Sequence, residues 1–407
     1  MRQGKILLSC AVLLTLASPA GAAPDEDLLG KASGYPVGSL SNWFYDESVR
    51  VGSFSNVDQI LPHYTLAKSA TPLPLPSAPD SGIEYRFADR SHTLDDFLAH
   101  QRVTGFLLIK DGKVLAERYQ YDRNAGHRFI SHSMAKSIVS LAVGMALGEK
   151  KIASIDDTIA KYVPALAGNP YGETTIRNML RMASGVPFTE VYDGKDDFTK
   201  FNRIRFSQDS VAALRAFTTR EVEQGTVFHY ASNQTVALTV LMHAVTGTTM
   251  SDYLTTRLWQ PMGAEADATW TMMKDGTEAG AGNFNAVLRD YGRLGILLAN
   301  DGAIGDKQIL PKEYLLDATD WHRQPDGFRP GSATRYFGYG YQFWLYPGEK
   351  RRFALLGVYG QSIFVDPGLK LVMVITAAAK NANVGNEPFA RERDALWRGV
   401  VAKYGSW

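Results

Sequence analysis

From Met134 to Leu147 the chain reads Met-Ala-Lys-Ser-Ile-Val-Ser-Leu-Ala-Val-Gly-Met-Ala-Leu. This is the stretch that most restricts the fold. At helical spacing it is apolar on almost every side, so it cannot be a surface helix with one wet face. It must sit in the middle of a large core with other elements packed around it. The chain has 407 residues, 45% of them hydrophobic and 21% charged, which is ample for such a core.

The helix carries chemistry at its start. Ser133 precedes its first residue and Lys136 follows three positions later, on the same face. Burial disfavours the charged form of a lysine and lowers its pKa. Beside a hydroxyl, such a lysine can make a nucleophile. A helix start also offers free backbone N–H groups to a developing oxyanion. Ser-x-x-Lys is a loose pattern, although Ser133 is the only serine here with Lys at +3. The competing reading is a core helix whose Lys136 snorkels to water.

The formal net charge of +1 gives no electrostatic case for nucleic acid. Arg2 and Lys5, the apolar Ile6 to Ala17 and the small Ala20-Gly21-Ala22 predict a cleaved secretory signal over residues 1–22. A secreted or periplasmic protein is the expectation. The single cysteine, Cys10, lies in that segment. The mature chain would then have no disulfide and no thiolate metal site. No later run is apolar and long enough to span a membrane.

Residues 23–95 read as an irregular arm, with Thr71 to Pro79 a proline-rich connector and Asn42-Trp-Phe-Tyr45 a packing segment. Thr104 to Tyr121 reads as a hairpin turning at Asp111-Gly112. Helices are expected over Ile155–Tyr162, Thr175–Met182, Val211–Phe217, Asn233–Val245, Asp252–Leu258, Leu288–Leu298 and Phe389–Tyr404, with a mobile loop at Asp193–Asp197. Tyr339–Tyr346, Phe353–Val365 and Leu371–Ala377 read as strands. The simplest architecture is α+β: one mostly antiparallel sheet built from both chain ends, with helices on its faces. On this reading 96–155 and 271–407 form the sheet domain and 156–270 an all-helical subdomain.

Gly360-Gln-Ser-Ile-Phe364 fails the Gly-x-Ser-x-Gly elbow at its last position. Gly280-Ala-Gly282 lacks the third glycine of a dinucleotide loop, and there is no His-Glu-x-x-His. Structural roles are expected for His127, His132 and His229. A serine–lysine site needs a proton carrier and a second oxyanion donor. Tyr230, just ahead of a helix, offers a phenol whose pKa a neighbouring cationic lysine would lower. Gly357 interrupts a strand where a ligand or another backbone passes close. The N–H of Val358 follows it.

Taken together, Ser133-Met-Ala-Lys136, Tyr230 near Ser232-Asn233, and Gly357-Val-Tyr-Gly-Gln361 resemble the serine hydrolases related to class C β-lactamases and DD-peptidases. The closest branch is the 6-aminohexanoate-dimer hydrolase type with its carboxylesterase relatives. Thr175 to Gly185, Pro261 to Trp270, Leu288 to Gly295 and the arm around Asn42-Trp43 are similar to that branch. The resemblance implies a β-lactamase/DD-peptidase-like sheet flanked by helices, plus the helical subdomain. It implies Ser133 as acyl-forming nucleophile, Lys136 as its activating partner and Tyr230 as proton shuttle. Backbone N–H groups of Ser133 and Val358 would form the oxyanion hole. It implies no metal or organic cofactor, and a small-molecule ester or amide as substrate. Tyr192, Asn233 and Gly357 are weaker substrate contacts.

Two departures stand out. The strand that carries Lys-Thr-Gly in those β-lactamases reads Leu355-Leu-Gly357, and the usual Tyr-x-Asn has Ser232 at its third position. Both favour an esterase or amidase over a penicillin-directed activity. Oligomeric state is not legible in the sequence.

Overall fold

The computed structural model describes residues 23–407; the segment expected to be a signal sequence, with Cys10, lies outside them. The dominant element is a seven-stranded sheet. Its order is Gly338–Tyr339, Trp344–Leu345, Phe353–Leu356, Ser362–Asp366, Leu371–Ala377, Val103–Lys110 and Lys113–Tyr119. Every neighbouring pair is antiparallel. The central pairing sets Val374 opposite Leu107 and Val372 opposite Ile109. The expected sheet from both chain ends is therefore present.

Alternation sorts its side chains onto two faces. Leu107, Ile109, Val372 and Val374 join the core that holds the Met134–Gly148 helix. Phe106, Leu108, Met373 and Ile375 join a second core with Leu396, Trp397 and Val400 of the Pro388–Tyr404 helix. Burial on both faces explains why these strands read as continuous apolar runs. The Leu288–Ala299 helix lies directly on the sheet. A Cβ at Gly295 would come 2.3 Å from Val372 Cγ1, so only glycine allows that approach.

The Met134–Gly148 helix is buried from Met134 through Ala146. It packs between the sheet strand Phe353–Leu356 and the Ser232–Thr246 helix. From Ile159 to Trp259 the elements are helical: Ile159–Tyr162, Ile176–Leu180, Asp197–Ser207, Ser210–Arg215, Ser232–Thr246 and Met250–Leu254, the last running on into a wider turn at Thr255–Trp259.

Several expectations are corrected. The arm is not irregular. It contains the Glu47–Phe54 helix, the Glu84–Phe87/Arg90–Thr93 hairpin and the strand His63–Leu66. That strand joins Ala268–Thr271, Phe284–Val287 and Arg128–Ile130 in a second, four-stranded sheet that the sequence reading missed. Tyr339–Tyr346 is a tight hairpin of two short strands, not one strand, and Phe353–Val365 breaks around Val358–Gly360. The loop at Asp193–Asp197 leads straight into an unanticipated helix, capped by Asp196 through the Thr199 N–H. The helix Lys312–Thr319 was likewise not foreseen.

Candidate active site

The short strand Arg128–Ile130 and the Met134–Gly148 helix are joined by Ser131-His132-Ser133. The join is sharp: His132 is held at φ 42°, a left-handed conformation that costs energy for any residue other than glycine. Ser133 emerges at the helix start with its side chain making no cap to the helix. Its Oγ accepts a hydrogen bond from Lys136 Nζ at 2.8 Å. The same ammonium donates to the Ala281 carbonyl at 2.9 Å. Lys136 does not snorkel; it is 2% exposed. Burial lowers its pKa from 10.5 to about 8, with Glu190 pulling the other way.

Tyr230 closes the group. Its ring centroid lies 5.1 Å from Lys136 Nζ, and the ring stacks on Trp344 at 5.5 Å. The expected lowering of its pKa is not found. Burial pushes the phenol well up, the Glu190 carboxylate adds to that, and the contact with Ser133 offsets part of it. The phenol is thus a neutral donor across the physiological range.

Gly357 meets the other side of Ser133. A Cβ there would lie 2.4 Å from Ser131 O and 3.1 Å from Ser133 N. The close approach foreseen for this glycine is therefore made by the backbone leading into Ser133. It brings Val358 to the wall of the same cavity as Ser133. Neither the Ser133 nor the Val358 N–H donates to a protein acceptor among the described residues. Two free N–H groups beside a hydroxyl suit a developing oxyanion.

The cavity in front of Ser133 measures about 430 Å³, within the range of small-molecule sites. Tyr192 is in its wall, at φ 63°, donating its hydroxyl to Glu190 at 2.6 Å. Trp43, Phe44 and Tyr45 also line it, so the arm segment read as packing borders the site too. Asn233 does not. It is fully buried and donates to the Tyr171 hydroxyl at 2.5 Å, while its neighbour Ser232 lines the cavity. His127 and His229 bond backbone atoms of Asn124 and Phe188. His132 is pressed among Phe44, Phe54 and Tyr359, and burial, Arg50 and Lys136 depress it to about 3, so it is neutral.

Sequence reasoning missed Glu190. It accepts from Ser232 N and Oγ, both at 2.7 Å, so it caps the Ser232–Thr246 helix beside Tyr230. Among the described residues one group has metal-ligand character: His92, His100 and Glu392. Its carboxylate already accepts from Tyr85 and Gln101 at 2.6 Å, and its members sit on the Arg90–Thr93 strand, the Leu94–His100 helix and the C-terminal helix. No described helix is long and apolar enough to cross a membrane.

Comparison with known proteins bears on the family and the fold. A family model described as Beta-lactamase matches residues 91–397. A 6-aminohexanoate-dimer hydrolase of Paenarthrobacter ureafaciens is 26% identical over 360 residues, covering 85% of this chain and 88% of the relative. Among solved structures, a Bacillus anthracis protein provisionally named 6-aminohexanoate-dimer hydrolase superposes with a TM-score of 0.78 at 20% identity. That match covers 94% of this chain and 98% of the other. A family VIII carboxylesterase matches with a TM-score of 0.55 at 17% identity, over 75% and 96% of the two chains. These two likenesses establish the fold. With more than half of its length matched by the family model, the chain belongs to the beta-lactamase family, as a hydrolase related to 6-aminohexanoate-dimer hydrolase.

Proposed function

We propose that this chain is an exported serine hydrolase that cleaves ester or linear amide bonds through an acyl-enzyme on Ser133. The observation that carries this reading is the 2.8 Å hydrogen bond from Lys136 to Ser133. Both residues are buried, with Tyr230 against the same lysine. Ser133 Oγ attacks the carbonyl carbon, and the developing oxyanion takes the N–H groups of Ser133 and Val358. Lys136 accepts the serine proton. Its pKa of about 8 leaves part of it neutral near pH 7, which suits a general base. Tyr230, held neutral, passes the proton to the leaving group. Water then enters by the reverse route and frees Ser133. The leader expected over residues 1–22 supports export.

Labelling tests the nucleophile. A fluorophosphonate probe is expected to modify Ser133, located by mass spectrometry of the digest, and short p-nitrophenyl esters are expected to be turned over. Efficient acylation by a fluorescent penicillin would favour a penicillin-binding or β-lactamase activity instead. Leu355-Leu-Gly357 speaks against that, because no lysine stands there for a β-lactam carboxylate. Absence of any label would make this a silent binding protein on the same scaffold.

Gly357 gives a second check. The alanine variant forces the strand away from Ser131 and Ser133. A displacement of about 1 Å at a reacting group costs on the order of 10²-fold. Gly357→Ala is expected to lose that much kcat on p-nitrophenyl esters while its melting curve still reports a folded protein. Full activity in that variant would remove the Val358 amide from the site.

A further inference from the structure

Arg205 is the unusual charge in this cavity. It sits on the Asp197–Ser207 helix, is 3% exposed and lines the same cavity as Ser133. Its hydrogen bonds are few and long: Nε to Ser210 Oγ at 3.3 Å and Nη2 to the Glu278 carbonyl at 3.4 Å. Among the described residues no carboxylate oxygen lies within 4.0 Å of it. The acids nearby are engaged elsewhere. Asp275 accepts from Ser210 N, Thr277 N and Thr277 Oγ1, and Glu278 accepts from His243 and Ser251 N.

Other buried arginines are treated differently. Arg352 holds Asp366, and Arg293 holds both Asp290 and Glu265. Arg50 spends its guanidinium on three backbone carbonyls. Arg393 also lacks a carboxylate and lies against Phe364 and Phe389, as Arg205 lies over Phe201, but unlike Arg205 it does not line the cavity. A buried charge without a partner is costly, and an anion bound beside it relieves that cost. A second guanidinium, Arg203, is exposed on the same cavity and forms no ion pair among the described residues. The surrounding wall is apolar, with Phe198, Phe201, Val236 and Met273.

We propose that the cavity takes substrates bearing a carboxylate on an apolar stem, with Arg205 pairing the carboxylate inside and Arg203 attracting it at the rim. This rests on the acyl-transfer reading of Ser133. The stem lies against the phenyl rings, and the scissile ester or amide is at Ser133.

The test compares two chromogenic esters of one acyl chain. One is the p-nitrophenyl monoester of hexanedioic acid with its free carboxylate; the other is the same ester capped by methyl. In the unmodified protein kcat/KM is expected to be at least about tenfold higher for the free acid, as for a charge-assisted hydrogen bond. In Arg205→Met the ratio is expected to fall to about one. A ratio of one or below in the unmodified protein overturns the proposal, and so does a ratio that Arg205→Met leaves intact. If the methionine variant does not fold, calorimetry on the unmodified protein decides. Hexanedioate should bind and its dimethyl ester should not; equal binding or none overturns the proposal. If both esters are inert in the unmodified protein, the Ser133 reading fails, and the same calorimetry still judges Arg205.

Discussion

Ser133→Ala is expected to lower kcat on p-nitrophenyl esters by about 10³-fold or more, because members of a nucleophile–base unit fail together. The loss should be almost purely chemical. The Ser133 side chain caps nothing on its own helix, so its removal takes no helix-stabilising bond. The Lys136 ammonium that donates to the hydroxyl keeps the Ala281 carbonyl at 2.9 Å, and beyond that ammonium the hydroxyl meets, among the described residues, only the Tyr230 phenol. The melting temperature should therefore stay close to that of the parent protein while turnover and fluorophosphonate labelling disappear together. Turnover within a factor of about ten of the parent would be incompatible with an acyl-enzyme at this position. So would labelling that persists elsewhere in the chain.

The parts of this site visible in the sequence are those that lie on one element. Ser133 and Lys136 share a helix whose apolar run is unmistakable, and burial of that helix forces the lysine into a dry setting. The hairpin Val103–Lys110/Lys113–Tyr119 and the strand Leu371–Ala377 were equally legible, since long apolar runs between turn residues have few other uses. The second sheet was not legible. Its strands run three or four residues, and Ala268–Thr271 and Phe284–Val287 are buried on both sides, so no alternation marks them. The hairpin at Glu84–Thr93 turns on Ala88-Asp89, both at positive φ, where Asn-Gly would have announced it.

Side chains brought together from different elements were harder still. Asn233 and Ser232 differ by one step around a helix, about 100°, and that step sends the amide into the core and the hydroxyl to the cavity. For Tyr230 the field of a nearby lysine was foreseen; the larger effect of burial and the carboxylate of Glu190 were not. A loop glutamate and a lone helical arginine carry no local signal. Glu190 and Arg205 become visible only when the chain has folded around them.

Lys136→Met should separate function from stability more sharply than any other substitution in this protein. Turnover is expected to fall by about 10³-fold or more, since the variant keeps the hydroxyl but loses the group that takes its proton. Stability should move the other way near neutral pH. In the fold Lys136 titrates at about 8 against 10.5 for an ordinary lysine. Below pH 8 the folded and unfolded chains both carry the charge, and the fold bears its full burial cost, about 3 kcal/mol for a shift of this size. Between pH 8 and 10.5 the unfolded chain binds more protons than the folded one, so stability of the parent protein rises with pH. Above 10.5 both forms are neutral and the cost is gone. Methionine has similar reach and no charge, so it escapes this cost at every pH, less what is lost with the bonds to Ser133 and Ala281. The melting temperature of Lys136→Met minus that of the parent should therefore be largest at pH 7 and shrink steadily toward pH 10.5. Over the same range the parent's kcat/KM should climb through an apparent pKa near 8 as the base becomes free. A melting-temperature difference that does not change with pH would mean that Lys136 is solvated in the folded protein. An activity profile flat from pH 7 to 10 would mean that some other group accepts the serine proton.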